Sequence, residues 1–187
     1  VEHKLRLACD RRGLDYRLVS CLVEAESGFN HFTMSRKGAV GLMQLMPGTA
    51  KRFGCNDPWD LDQNIEGGTR FLEFLHGQFS GEVPLVLAGY NAGEGAVMKY
   101  SRKIPPYAET VRYVFTILNR YGSKGLVEDA RASLASPGDY DRYYVPNKNH
   151  KTPTHTYFMY IDEHGARAFT DAPPSGVVFH KVVYKEE

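Results

Sequence analysis

A chain of 187 residues has room for one sizeable core and an appendage, and not for several domains. With 23 Lys and Arg against 22 Asp and Glu, its net charge of +1 offers no electrostatic draw for nucleic acid. No stretch approaches the ~20 apolar residues that span a bilayer as a helix, and no signal peptide is visible, so any export signal is expected to have been removed ahead of Val1.

Helical periodicity dominates the chain up to Tyr121. A first helix is predicted over 2–12 and a second over 15–26, where Leu18, Val19, Leu22 and Val23 form one apolar stripe. Glu26 follows Leu22 by four residues and Val23 by three, so it shares that face, while Glu24 points away. A carboxyl on an apolar face loses hydration, which disfavours its ionised form and should raise its pKa. An acid still protonated near neutral pH can donate a proton to a leaving oxygen. The stripe alone leaves open the ordinary alternative of a surface cap or ion-pair partner.

Pro47 suits the start of a third helix reaching residue 53. Asp57, Asp60 and Asp62 surround Trp59 without the glycine and terminal glutamate of a calcium loop, so a solvated loop with helix caps is expected. Apolar spacing predicts further helices over 65–79, 83–91, 94–100 and 107–121. The last points Val111, Val114, Phe115 and Leu118 inward and ends at Gly122 as a C-cap. A short helix is expected over 126–134. Residues 136–155 are rich in Pro, Gly, Asn, Lys and Asp and read as a linker. Strands are predicted over 157–161, 166–170 and 177–184, with a turn at 162–165. Three strands are marginal alone, so they should pack on the helices or be tethered to them. The predicted fold class is mainly α with a small C-terminal antiparallel β appendage, divided at 1–122, 123–155 and 156–187.

Cys9, Cys21 and Cys55 have no metal-ligand spacing. Cys9 and Cys21 flank the turn at Gly13-Leu14-Asp15 and are candidates for a bridge across a helical hairpin, with buried free thiols as the alternative. His150, His155, His164 and His180 are not spaced as a metal site and are expected at the surface.

Four segments sharpen the meaning of Glu26. They are Glu26-Ser27-Gly28-Phe29-Asn30 with Ser35 and Gly38-Ala39; Gly41-Leu42-Met43-Gln44-Leu45-Met46-Pro47 with Thr49-Ala50; Ala88-Gly89-Tyr90-Asn91-Ala92-Gly93; and Tyr107-Ala108-Glu109-Thr110 with Tyr113-Val114. In order and spacing, over roughly residues 5 to 121, they resemble the lytic transglycosylase family, whose catalytic domain has a goose-lysozyme-like fold. Two positions depart from the family's usual pattern, which has proline where His31 and Arg36 stand here. Both lie in the loop after the acid.

The resemblance implies a role for each segment, and each also has a physical reading. Glu26 is the implied catalytic acid. Gly38 and Gly41 permit unusual backbone angles and close approach. Gln44 carries a donor and an acceptor suited to an N-acetyl group. Met46 offers a flexible apolar face to a sugar, whereas Met43 is read as core. Tyr90 resembles a group that orients the acid or steadies developing charge, the alternative being a buried tyrosine with a satisfied hydroxyl. Ser35, Asn91 and Ala92 are implied in substrate binding. Glu109 and Tyr113, four apart on one helix face, are implied to line the cleft. Tyr121, beyond the last motif, is expected to be inert.

The implied activity is cleavage of the β-1,4 bond between N-acetylmuramic acid and N-acetylglucosamine in peptidoglycan, with a 1,6-anhydro product and no metal or cofactor. Glycan strands are the implied partner, with room for an envelope or secretion-system partner, and the chain is expected to be a monomer in the bacterial periplasm or envelope. A goose-type lysozyme hydrolysing the same bond is the nearest alternative. A silent glycan-binding component of an envelope machine is another. The strings Tyr160-Ile161-Asp162-Glu163-His164-Gly165 and Phe169-Thr170-Asp171-Ala172-Pro173-Pro174 resemble a small β module of bacterial envelope proteins, usually found N-terminally.

Overall fold

The structure, a computed structural model, describes residues 1–144, 154–161, 167–170 and 176–185. Residues 145–153 of the expected linker, the turn at 162–165, the segment 171–174, His150 and His164 lie outside the described residues. The helices are α1 (Glu2–Arg12), α2 (Tyr16–Ser27), α3 (Pro47–Arg52), α4 (Leu61–Gln78), α5 (Val83–Ala92), α6 (Glu94–Lys99), α7 (Ala108–Tyr121), α8 (Lys124–Ala132) and α9 (Asp139–Tyr143). The strands are β1 (Thr33–Ser35), β2 (Thr154–Ile161), β3 (Arg167–Thr170) and β4 (Phe179–Lys185). No helix among the described residues is long and apolar enough to cross a membrane.

The chain divides into two compact units. One comprises Val1, Glu26–Gly68 and Asn149–Glu187; the other comprises Glu2–Ala25 and Thr69–Lys148. The second unit is helical. Its core is built by α7, whose Val111, Val114, Phe115, Ile117 and Leu118 are all fully buried. The helix stops at Gly122, which takes φ 84° and returns its N–H to the Leu118 carbonyl, as a left-handed cap does. Pro84 sits in the first turn of α5, where a missing N–H costs nothing. Gly89 lets α5 approach closely, because a Cβ there would lie 2.7 Å from the Phe79 ring. Helix α9 falls where composition suggests linker. It forms because Tyr140 and Tyr144 cover Phe115, with ring centroids 4.6 and 5.7 Å away. Arg131 adds a cation over the Tyr140 ring at 3.9 Å.

The first unit holds the sheet, ordered β1-β4-β2-β3. The antiparallel β2–β3 and β2–β4 pairs match the expected appendage. The departure is β1, which pairs parallel with β4 in the register Thr33↔Val183, Met34↔Tyr184, Ser35↔Lys185. Three residues are too few to display an alternating pattern, so periodicity cannot find this strand. Thr33, Met159 and Val182 are buried in this unit.

The three cysteines are free thiols, so the candidate Cys9–Cys21 bridge is not formed and the alternative holds. Cys9 is buried in its own helix while Cys21 is half-buried. Of the aspartates around Trp59, Asp60 caps a helix and Asp57 closes a turn. Asp60 Oδ1 accepts the Gln63 N–H at 2.9 Å at the start of α4, and Asp57 Oδ1 accepts that of Trp59 at 3.0 Å. That capping starts α4 four residues earlier than its apolar spacing suggests.

Candidate functional site

Glu26 is the penultimate residue of α2 and is half-buried, one turn beyond the fully buried Leu22 and Val23. Glu24 is exposed, with its carboxylate 3.4 Å from Arg120 Nε. The residues after Glu26 make the helix exit. Gly28 and Phe29 take left-handed φ angles of 61° and 63°, the second of which strains a side-chain-bearing residue. Asn30 fixes the turn: its Oδ1 accepts the Phe32 N–H at 3.0 Å and its carbonyl accepts the Thr33 hydroxyl at 2.8 Å. The Ser-Gly-Phe-Asn sequence therefore ends the helix directly behind the acid.

The loop that follows is tied down by backbone. Ser35 is buried; its N–H donates to the Ala39 carbonyl at 2.9 Å and its Oγ accepts the Ala39 N–H at 3.1 Å. Gly41 takes φ 87°, and a Cβ there would run into the Asn64 amide and the Pro58 carbonyl. Asn64 is fully buried. Its Oδ1 accepts the Met43 N–H at 2.8 Å, and its Nδ2 donates to the Val40 and Pro58 carbonyls at 3.0 and 2.8 Å.

Gln44 stands in a left-handed conformation, φ 47°. Its Nε2 donates to the Thr33 carbonyl at 2.9 Å and to the Gly41 carbonyl at 2.8 Å. Both side-chain donors are thus spent on the loop, and Oε1 is what remains to accept from a ligand. Met46 caps α3 and is 42% exposed, whereas Met43 is core, packed where a Cβ on Gly68 would collide with it.

The helical unit carries the other candidate residues on α5 and α7. Tyr90 is half-buried against Phe71, ring centroids 5.0 Å apart. Asn91 Oδ1 accepts the Thr110 hydroxyl at 2.7 Å, and its Nδ2 lies 3.4 Å from Glu109 Oε1. Ala92 closes α5 beside Gly93, which turns the chain with φ 84°. Glu109 is exposed and Tyr113 half-buried, four residues apart on α7.

Two residues that hold candidate residues in place had no role assigned from sequence, Thr110 being quoted only as part of a motif. Asn64 and Thr110 are both polar side chains on apolar helix faces, Asn64 in line with Gly68 and Phe71, Thr110 in line with Val114 and Ile117. A buried amide or hydroxyl in such a stripe needs partners, and that demand was the available signal.

Fold and motifs together define a mainly helical domain of lysozyme type. The chain belongs to the transglycosylase SLT domain family, which it matches over residues 5–109, more than half its length. It is 38% identical over 96 residues to membrane-bound lytic murein transglycosylase F of Desulfosudis oleivorans, covering 48% of this chain and 21% of that protein. It is 37% identical over 122 residues to the transglycosylase of Enterobacteria phage PRD1, covering 65% of this chain and 44% of that one. Among solved structures it resembles an inactive glutamate-to-glutamine mutant of the lytic transglycosylase Slt from Pseudomonas aeruginosa, with TM-score 0.57 and 32% identity over 68% of this chain and 24% of that one. The 70 kDa soluble lytic transglycosylase of Escherichia coli is also similar, with TM-score 0.56 and 26% identity over 76% of this chain and 26% of that one. The chain thus spans less than half the length of these relatives.

Proposed function

We propose that this chain is a peptidoglycan lytic transglycosylase with Glu26 as its single acid and base. The observation that carries the reading is the acid itself: a half-buried carboxyl, in line with a buried stripe, inside a family-matched domain. Glu26 protonates the glycosidic oxygen between N-acetylmuramic acid and N-acetylglucosamine as the bond to C1 breaks. The sugar's acetamido oxygen stabilises the cationic C1. Glu26, now ionised, takes the proton of the C6 hydroxyl, whose oxygen bonds to C1 and leaves a 1,6-anhydro end without consuming water. Proton and electron pairs balance, and the acid is regenerated.

Tyr90 orients Glu26 or steadies developing charge in this reading. Gln44 Oε1 accepts the acetamido N–H, and Met46 supplies an apolar face. Asn91, Ala92, Glu109 and Tyr113 contact the glycan. Ser35 acts through the loop it closes. Action on peptidoglycan places the protein in the bacterial envelope, in keeping with the membrane-bound naming of its relatives.

Mass spectrometry of digested sacculi tests the reading. Anhydro-muramic ends are expected. Reducing ends would make the chain a goose-type hydrolase, and no cleavage would make it a silent glycan binder.

A further inference from the structure

We infer that strand β4 is a positioning element of the glycan site, holding the loop that carries Gln44 through its pairing with β1. This rests on the transglycosylase reading for its kinetic consequence, though not for its structural one.

The loop needs an external support. Between Gly28 and Met46 there is no proline to restrict the backbone, and β1 is only three residues long. Two consecutive carbonyls decide how the loop is held. That of Phe32 accepts the Val183 N–H from β4 at 2.9 Å. That of Thr33 accepts both the Gly41 N–H, at 2.9 Å, and Gln44 Nε2, at 2.9 Å. Carbonyls of adjacent residues in a strand point to opposite sides. Two successive peptide groups therefore join β4 on one side to the Gly41–Gln44 turn on the other.

A side-chain contact reinforces the backbone one. The Phe32 ring stacks on His180 of β4 at 4.1 Å and 23°, and His31 lies against Phe32 at 3.8 Å. Val182 between them in sequence with Val183 is buried, which fixes the face that β4 presents. Gln44 sits in a left-handed conformation that a free loop would not favour, so the support sets both its backbone and its amide.

The test uses the full chain with three substitutions: Val183→Pro, His180→Ala and His180→Phe. Proline at 183 removes the N–H that reaches Phe32. Val183→Pro and His180→Ala should speed hydrogen exchange at the Gly41 amide and raise KM about three- to tenfold, with kcat within about twofold. His180→Phe keeps the stack and should restore both. Helical circular dichroism should stay as in the wild type; if Val183→Pro loses it, His180→Ala decides. Wild-type exchange at Gly41 together with wild-type KM in a folded variant overturns the inference. A wild-type chain that releases no muropeptides overturns the transglycosylase reading instead, and the exchange comparison still decides the support.

Discussion

Tyr121, the last residue of α7, donates its phenolic hydrogen to Asp15 Oδ2 at 2.6 Å. The other oxygen of that carboxylate accepts the Arg17 N–H at 2.7 Å and the Leu18 N–H at 3.4 Å, capping α2. The Arg17 guanidinium also lies over the Tyr121 ring, 5.2 Å from its centre. A tyrosine beyond every motif thus fastens the end of one helix to the start of the helix that bears Glu26.

Tyr121→Phe should therefore cost about 0.5–1 kcal/mol of stability, at the low end for a charge-assisted bond because the pair is exposed. Partial burial pushes the Asp15 carboxyl up, but the Tyr121 hydroxyl and the Arg17 and Leu18 N–H groups outweigh it and hold it below its ordinary value of 3.8. A carboxyl lowered in the folded state stabilises above its unfolded pKa, and that contribution is lost as pH falls through the folded one. The difference between wild-type and Tyr121→Phe urea midpoints should be largest near neutral pH and shrink as pH falls below the ordinary value of 3.8. A gap that is flat with pH would contradict the staple.

Glu26→Gln keeps the shape of the acid and removes its proton chemistry. Turnover should fall by ~10²–10⁴-fold while glycan binding persists. Tyr90→Phe should lower turnover with little change in affinity, and combining the two should be far from additive. A Glu26→Gln protein with most of its activity would remove the acid from its assigned role.

Gln44→Glu is close to isosteric, yet its carboxylate has no hydrogen to give the Thr33 and Gly41 carbonyls. KM should rise about tenfold at neutral pH, the equivalent of ~1.4 kcal/mol. Protonation in acid returns one donor, so the defect should lessen below about pH 5. Steady-state kinetics at two pH values would show whether these two bonds matter.

Asn64→Leu should be among the most damaging single changes in the protein. It removes the acceptor of the Met43 N–H and the donor to the Pro58 carbonyl at a fully buried position, while the Val40 carbonyl keeps the Leu45 N–H at 2.9 Å. A loss of about 2–4 kcal/mol is expected from the stranded groups. Chemical denaturation measures it, and a change under about 0.5 kcal/mol would mean that water replaces the amide.

The thiols should differ in reactivity. Burial, then the charges of Asp10 and Asp15, push Cys9 up to about 11; burial, then Asp57 and Asp60, push Cys55 up to about 11. Both are sealed from solvent, whereas Cys21 is half-buried. In the native protein a thiol reagent near pH 8 should label Cys21 first, and Cys21→Ser should abolish that early phase, leaving two thiols that appear only on unfolding. Three thiols reacting at one rate would rule this out.

Much of the helical part was legible because its signals are local. The stripe Leu18, Val19, Leu22 and Val23, the proline at the start of α3 and the glycine after α7 each act within a turn or two of where they stand. The candidate site was read from residue type and spacing together, as at Glu26 and Gln44. What stayed hidden depends on partners far along the chain. Nothing near Thr33 announces a strand, since Val183 makes it one. Nothing near Tyr140 announces a helix, since the Phe115 ring makes it worthwhile. The spent donors of Gln44 needed the loop's path, because residue type alone shows two functions and only geometry shows which is occupied.

The parallel pairing of Thr33 with Val183 also sets an order of assembly. Its partners lie about 150 residues apart in sequence, so closing that contact is costly in chain entropy and unlike the local contacts that build helices quickly. A nascent chain can form α2 and present Glu26 long before residue 183 exists, yet the loop beside the acid has no strand to lean on until then. On the transglycosylase reading, an unfinished molecule would hold glycan more weakly than the complete one until the far strand has been synthesised and docked.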